Sequence, residues 1–474
     1  MVRRVYDKAT LAKGTHMTAA LQPLLSALEG RFGARFSTSQ AVRDQHGRGE
    51  AHHATAAPDA VVMVRSTEEV VFVVRHCAEA GVPVIPYGAG TSLEGHLAAV
   101  RGGISVDLTQ MDQVLRVSAE DMDCTVQAGV TREALNLHLR DQGLFFPIDP
   151  GANASIGGMV STRASGTNAV RYGTMREVTL SLTVVLPDGE VIRTSSRARK
   201  SAAGYDLTRL FVGAEGTLGI VTEITLRLFG IPQAISAALC SFPDVESAVA
   251  AATMVTQFGI PVARMELMDR GLIEAVNEYA DLSLPVADTL AFEFHGTEAS
   301  VAEQAAVVAE IVTEFGALGF EAATDPEERA RLWKARHNAW YAVVGQRKGA
   351  VGWTSDVCVP VSELTGCIRH ARGLLADCPV PAVILGHVGD GNFHVVFAID
   401  PDQPEEMAAV RRINGEMVAR AISVDGTCTG EHGVGFGKAP YLRDEYAPAA
   451  LRLMAALKAA IDPQDIMNPG KILP

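Results

Sequence analysis

Pro86-Tyr87-Gly88-Ala89-Gly90-Thr91-Ser92-Leu93-Glu94-Gly95 decides how this chain is read. It overlaps the end of an apolar run, 82–87, that reads as a strand, and it packs three glycines and the two aliphatic hydroxyls of Thr91 and Ser92 into ten residues. Such a loop suits backbone N–H groups aimed at a pyrophosphate. It is not a Rossmann fingerprint: the spacing is Gly-x-Gly-x-x-x-x-Gly, and Gly95-His96-Leu97 leads toward another strand instead of a long helix. Two further loops share its character. One is Asp149-Pro150-Gly151-Ala152-Asn153-Ala154-Ser155-Ile156-Gly157-Gly158, continuing through Ser165-Gly166-Thr167-Asn168 to Tyr172-Gly173; the other is Gly213-Ala214-Glu215-Gly216-Thr217-Leu218-Gly219. All three are poor in charge and lie beside strands, so together they can wrap one long ligand that needs close backbone approach. Ordinary β-turns are the alternative reading.

Working outward, 61–64 reads as a strand, and Ser66-Thr67-Glu68-Glu69 is a capping box for a helix ending near Gly81. Strands are expected at 104–108 and 124–128, a helix from Thr131 to Gly143, a hairpin at Pro187-Asp188-Gly189, and a β-branched strand over 219–229. Upstream, 21–36 has helical spacing, and the His-rich stretch 43–58 reads as a linker or an ordered loop. After Pro232 the texture changes to Ala-rich helices (245–257, 300–315, 326–344) separated by strands such as 290–295, which places a domain boundary near 232. A last helix, 448–461, precedes the tail Asn468-Pro469-Gly470-Lys471.

The whole chain has 474 residues, 48% hydrophobic, with formal net charge −14. That length predicts roughly two or three domains. The acidity argues against unaided nucleic-acid binding, and Arg193, Arg197, Arg199 and Lys200 read as a solvated loop. No apolar run is long enough for a transmembrane segment. The seven cysteines never form Cys-x-x-Cys, so neither a disulfide framework nor an iron–sulfur cluster is indicated, and a reducing, cytoplasmic compartment is expected. Residues 1–16 are basic without an apolar core and read as a tag or leader.

Two constellations carry chemistry. In His387-Val388-Gly389-Asp390-Gly391-Asn392-Phe393-His394, flanked by apolar runs, a two-residue Asp390-Gly391 turn would pair 389 with 392, 388 with 393 and 387 with 394. Two imidazoles opposite each other on one face, with Cβ atoms about 5 Å apart, can share an ion. The alternative is hydrogen-bonded core histidines. In Gly426-Thr427-Cys428-Thr429-Gly430-Glu431-His432-Gly433-Val434-Gly435, Glu431 can be a third metal ligand and His432 a general base, or both can be solvated in a flexible loop. His-Glu-x-x-His, Walker A and Gly-x-Ser-x-Gly are all absent.

These residues resemble the FAD-linked D-2-hydroxyacid dehydrogenase family of the vanillyl-alcohol oxidase / p-cresol methylhydroxylase fold, over about 55–474. The likeness rests on PYGAGTSLEG (86–95), DPGANASIGG (149–158), KSAAGYDLTRLFVGAEGTLGIVTE (200–223), GHVGDGNFH (386–394), GTCTGEHGVG (426–435) and DPQDIMNPGK (462–471). Within the family it looks most like the D-lactate dehydrogenase (cytochrome) branch, through 332–343 and 354–364. The resemblance implies an α+β fold: a two-lobed FAD-binding domain (56–232) after an N-terminal helical segment (17–55), an α+β cap domain with an antiparallel sheet and metal site (233–435), and a C-terminal segment returning to the FAD domain (436–474).

It further implies that Pro86, Gly88, Gly90, Thr91, Ser92 and Gly95 hold the FAD pyrophosphate. Pro150, Ala154, Ser155, Gly157, Gly158, Gly166, Glu215, Gly219, Ile220 and Val221 would line the rest of the cofactor, with Asn468 reaching it from the tail. His387, His394 and Glu431 would bind a divalent metal, zinc or manganese. Arg336 would anchor the substrate carboxylate and His432 would be the base. The implied substrate is a small D-2-hydroxyacid, D-lactate first, with D-2-hydroxyglutarate, glycolate or a catalytically silent subunit as alternatives. Trp340 and Thr354 stand where further polar anchors for a second carboxylate are expected. FAD is expected to be dissociable, and electrons would pass to an external acceptor such as a cytochrome c, an electron-transfer flavoprotein or a quinone. Peripheral contact with the respiratory membrane and a homodimer are compatible with the likeness.

Overall fold

The computed structural model describes residues 20–50 and 52–474, so the expectation for residues 1–16 lies outside the described residues. The chain divides into two compact units. The first comprises residues up to Ser165, Thr174–Gly230 and Glu431–Pro474; the second comprises Gly166–Gly173 and Ile231–Gly430. Residues 166–173, which the sequence reading put inside 56–232, thus belong to the second unit.

The first unit contains two main sheets. A four-stranded sheet runs Phe36–Ser37, Ala60–Met63, Ile104–Asp107, Val84–Tyr87, the last three parallel. A five-stranded antiparallel sheet runs Val114–Ser118, Asp123–Gln127, Ile220–Arg227, Thr179–Val185, Val191–Arg193. The parallel strands need a crossover, and helix Thr67–Ala80 supplies it: Ser66 Oγ accepts the Glu69 N–H at its start, and Gly81 closes it at φ 63°. Val70, Val73, Val74 and Cys77 fall at i, i+3, i+4 and i+7 and are all buried. At roughly 1.5–3 kcal/mol for each fully buried large apolar side chain, this stripe fixes the helix against the core that both sheets share. Residues 43–46, expected as linker or loop, extend a short helix, Gln40–His46, whose buried His46 lies 3.0 Å from Asp107.

The second unit is built on an eight-stranded antiparallel sheet ordered Gly319–Ala323, Ala234–Phe242, Asp288–Gly296, Val262–Met268, Ala382–His387, Asn392–Ile399, Val351–Thr354, with Val357–Cys358 also paired to Asn392–Ile399. Helices Arg270–Ala280, Pro326–His337 and Ala339–Gly345 cover one face through Met268, Ala291, Val383, Leu385 and Val396. The single helix expected over 326–344 is broken at Asn338, which sits at φ −90°, ψ −1°, outside regular helix geometry.

The expected register of the histidine hairpin is corrected. His387 pairs with Asn392 and Leu385 with His394, because the connection is four residues long: Asp390 N–H returns to His387 O at 3.0 Å and Gly391 adopts φ 79°. Both histidines still share a face, since the pairing moved by two residues and the strand period is two. They are diagonal neighbours, with ring centroids 5.4 Å apart and planes nearly perpendicular.

Candidate active site

In the first unit the three glycine loops converge. A Cβ on Gly88 would collide with Ser155 Oγ, and one on Gly216 with Pro86, so the first loop touches both others. Ser155 caps helix Ile156–Thr162 by accepting the Gly158 N–H. Gly157 lies against Ala128, where a Cβ would come within 2.7 Å of the Ala128 methyl, and Gly219 lies against Val184 at 2.8 Å. Part of the glycine content therefore serves close packing of the chain on itself. The tail joins the same place: Asn468 donates through Nδ2 to His96 O at 3.2 Å and Glu215 O at 2.8 Å.

A ligand suits these loops, because among the described residues Ser92 Oγ, His96 Nδ1 and Asn468 Oδ1 are buried without a hydrogen-bond partner. Such orphans are uncommon and call for an explanation. Pro86, Gly90, Thr91, Gly95, Pro150, Ala154, Ile220 and Val221 belong to the same unit, whereas Gly166 lies in the second. Lys471 is also buried there, donating to Ala98 O at 2.8 Å; burial pushes its ammonium down to about 7.

The second unit supplies ionised groups on a sheet face. Fully buried Glu266 accepts from His387 Nδ1 at 2.6 Å and from Arg336 Nε at 2.8 Å. Burial alone would raise its carboxyl, but the His387 and Arg336 charges and their hydrogen bonds outweigh that and hold it below the ordinary range. His394 Nδ1 lies 3.1 Å from Ser355 O and 3.6 Å from Asp356 Oδ1. A metal would take the place of the proton on Nε2 of each ring and leave Nδ1–H toward its carboxylate or carbonyl partner, the usual support behind a ligating histidine. The donor set thus fits a divalent ion of the kind imidazole favours.

The chain up to Gly430 is held by the same unit. Asp356 Oδ2 accepts from Thr429 Oγ1 at 2.6 Å and Gly430 N at 2.8 Å, while Asp356 Oδ1 accepts from Asn392 Nδ2. Glu431 follows directly in sequence. Beyond His432, the loop is fixed within the first unit: Val434 and Gly435 donate to the Glu215 carboxylate at 2.6 and 2.8 Å.

Sequence reasoning missed Glu266 and Asp356. It also missed a second polar group on that sheet, where Glu293 binds His295 Nε2 at 2.8 Å, His295 Nδ1 meets the Tyr172 hydroxyl at 2.7 Å, and Arg264 lies 3.4 Å from Glu293. The available signal was a carboxylate inside an apolar strand, as at Glu266 in 262–268, since an unpaired buried charge is too costly to persist.

The first unit thus carries charge-poor glycine loops and the second a sheet with buried ionic groups. The solved structure of p-cresol methylhydroxylase with substrate bound matches with a TM-score of 0.77 at 18% identity, covering 96% of this chain and 97% of that one. A family model for an FAD-binding domain matches residues 58–195, and one for the C-terminal domain of FAD-linked oxidases matches 231–472. The chain belongs to the FAD-linked oxidase family, and FAD is the cofactor this implies.

A probable D-lactate dehydrogenase, mitochondrial, of Danio rerio is 48% identical over 460 residues, covering 96% of this chain and 93% of that protein. D-lactate dehydrogenase (cytochrome), mitochondrial, of Arabidopsis thaliana is 47% identical, covering 95% and 80%. These names correct the expected cytoplasmic location: both relatives are mitochondrial, and scattered reduced cysteines cannot tell one reducing compartment from another. Among the described residues no helix is long and apolar enough to cross a membrane.

Proposed function

We propose that the chain oxidises D-lactate to the 2-oxoacid and passes the electrons to an external acceptor. The observation that carries this reading is Glu266, whose one carboxylate orients both His387 and Arg336. The reading also draws on the likeness to named D-lactate dehydrogenases.

Arg336 uses Nε for Glu266, so the two terminal nitrogens of its fork would grip the substrate carboxylate and fix which face of Cα is presented. His432 would take the hydroxyl proton. His387, His394 and Glu431 would hold a divalent ion, zinc or manganese, which supplies the positive charge that makes the substrate hydroxyl acidic enough for that transfer. Bound FAD would supply the acceptor for the hydride that leaves Cα. The residues of the three loops and Asn468 would hold it, with Ser92 Oγ and Asn468 Oδ1 as the polar atoms awaiting partners. A cytochrome c, an electron-transfer flavoprotein or a quinone would then reoxidise the protein.

Anaerobic titration of the purified flavoprotein tests this. D-lactate should bleach the flavin absorbance, and L-lactate should not. Bleaching by D-2-hydroxyglutarate and not D-lactate would move the substrate to larger hydroxyacids, and no bleaching by any hydroxyacid would overturn the activity.

A further inference from the structure

Glu215 occupies the turn of the third glycine loop at φ 52°, with its side chain 1% exposed. Its backbone N–H donates to Ser161 O at 2.9 Å and its backbone carbonyl accepts from Asn468 Nδ2. Both carboxylate oxygens face the segment after His432: Oε1 takes the Val434 N–H and Oε2 the Gly435 N–H. His96 Nε2 stands 3.2 Å from Oε1. The next two amides, Phe436 and Gly437, both donate to the carbonyl of Glu94, in the first glycine loop, at 3.1 Å. Four consecutive N–H groups are thus taken by two residues of the glycine loops.

The chain path requires this closeness. Gly433 adopts φ 78°, and a Cβ there would stand 2.8 Å from Glu215 Oε1; at Gly435, φ 50°, it would collide with the Glu94 carbonyl. Gly433 is the residue next to His432, so the carboxylate that fixes 433–435 also fixes the direction from which the His432 side chain departs.

We infer that Glu215 is a positioning residue for His432: a buried carboxylate that anchors the base-bearing loop to the flavin-side loops, instead of a group that contacts the cofactor. This rests on the reading of His432 as the base. A carboxylate accepts from both amides, whereas the isosteric Gln turns an NH2 donor toward one of them. The loop must then shift, and a displacement of about 1 Å in a reacting group can cost roughly 10²-fold in rate.

The test uses the full-length holoprotein and its apoprotein. Glu215→Gln should bind FAD, measured by fluorescence titration of the apoprotein, within about threefold of the parent affinity, while flavin reduction at saturating D-lactate slows roughly 10²-fold with half-saturation little changed. Glu215→Asp keeps two acceptor oxygens and should recover about tenfold of that loss. A large drop in FAD affinity with normal reduction of the loaded fraction would make Glu215 a flavin contact and overturn the inference, as would an unchanged rate. If Glu215→Gln does not fold, Gly433→Ala, which pushes on the same carboxylate, decides by the same split: slow reduction with FAD retained supports the anchor, and a normal rate overturns it. If D-lactate fails to reduce the parent protein, the proposed activity is at fault and deuterium exchange decides. Faster exchange of the Val434 and Gly435 amides in Glu215→Gln at unchanged FAD affinity supports the anchor; unchanged exchange overturns it.

Discussion

The two units differ in the chemistry that they bury. The first works with backbone and small side chains: glycines pressed against Ser155, Pro86 and Ala128, and buried polar atoms awaiting partners. The second works with buried charge, where Glu266 on one strand binds His387 on the next and Arg336 on a helix that covers the sheet. On the proposed function, the contrast corresponds to two tasks. A long cofactor needs surface that approaches closely and shapes itself to many atoms. A small hydroxyacid needs a few groups of fixed charge and direction, which strands hold more firmly than loops.

That division can be broken in graded steps. The largest effect is expected from His432→Asn: flavin reduction by D-lactate should fall roughly 10²–10⁴-fold, the range of a general base, while FAD content stays normal. Rapid-mixing absorbance checks both, and near-normal reduction would remove His432 from the chemistry. Glu266→Gln should weaken divalent metal binding roughly 10–100-fold, as loss of a partner behind a ligating histidine does. Elemental analysis after dialysis measures this, and FAD should be unaffected.

Gly157→Ala probes the first unit from the other side. Its Cβ would press on the Ala128 backbone as well as its methyl, an overpacking that costs about 1–3 kcal/mol. Denaturant unfolding should show that loss together with weaker FAD binding, and metal content should not change.

The smallest effects are in the pH dependence of stability, with opposite signs in the two units. Burial puts Lys471 at about 7 against an ordinary value near 10.5, so between those pH values the unfolded chain holds a proton that the folded chain lacks. Stability therefore gains as pH rises through that window. Burial lifts Asp269 to about 6 from 3.8, so the folded chain there keeps a proton that the unfolded chain has released, and stability declines as pH rises from about 4 to 6. Lys471→Met should flatten the alkaline limb and Asp269→Asn the acid one in unfolding curves taken across pH.

The same contrast explains what was legible in the sequence. Loops at 86–95, 149–158 and 213–219 announce themselves because a cluster of glycines beside a strand is a local signal, and so is the Ser66 cap. Glu266 reads locally as one of two charged residues, with Arg264, in an otherwise apolar strand. Its partners are 70 and 121 residues away: the strand order brings His387 beside it, and helix Pro326–His337, packed on the sheet, brings Arg336. The hairpin register slipped for a related reason. Asp390-Gly391 is a two-residue turn signal, but the Asp390 amide bonds back to His387 and makes a four-residue connection. The faces survived that error because the strand period is two. Gly166 escaped in the other direction: nothing local says that 166–173 leaves the glycine-loop unit, and Arg264 and His295, which grip Asn168 and Tyr172, lie about a hundred residues on.

The division of labour is tested most directly by treating the holoprotein with a chelator, removing the metal by gel filtration, and then recording flavin absorbance before and after anaerobic D-lactate. FAD should stay bound with its spectrum unchanged, D-lactate should no longer bleach it, and adding back zinc or manganese should restore bleaching. Loss of FAD with the metal, or full bleaching without it, would contradict the account.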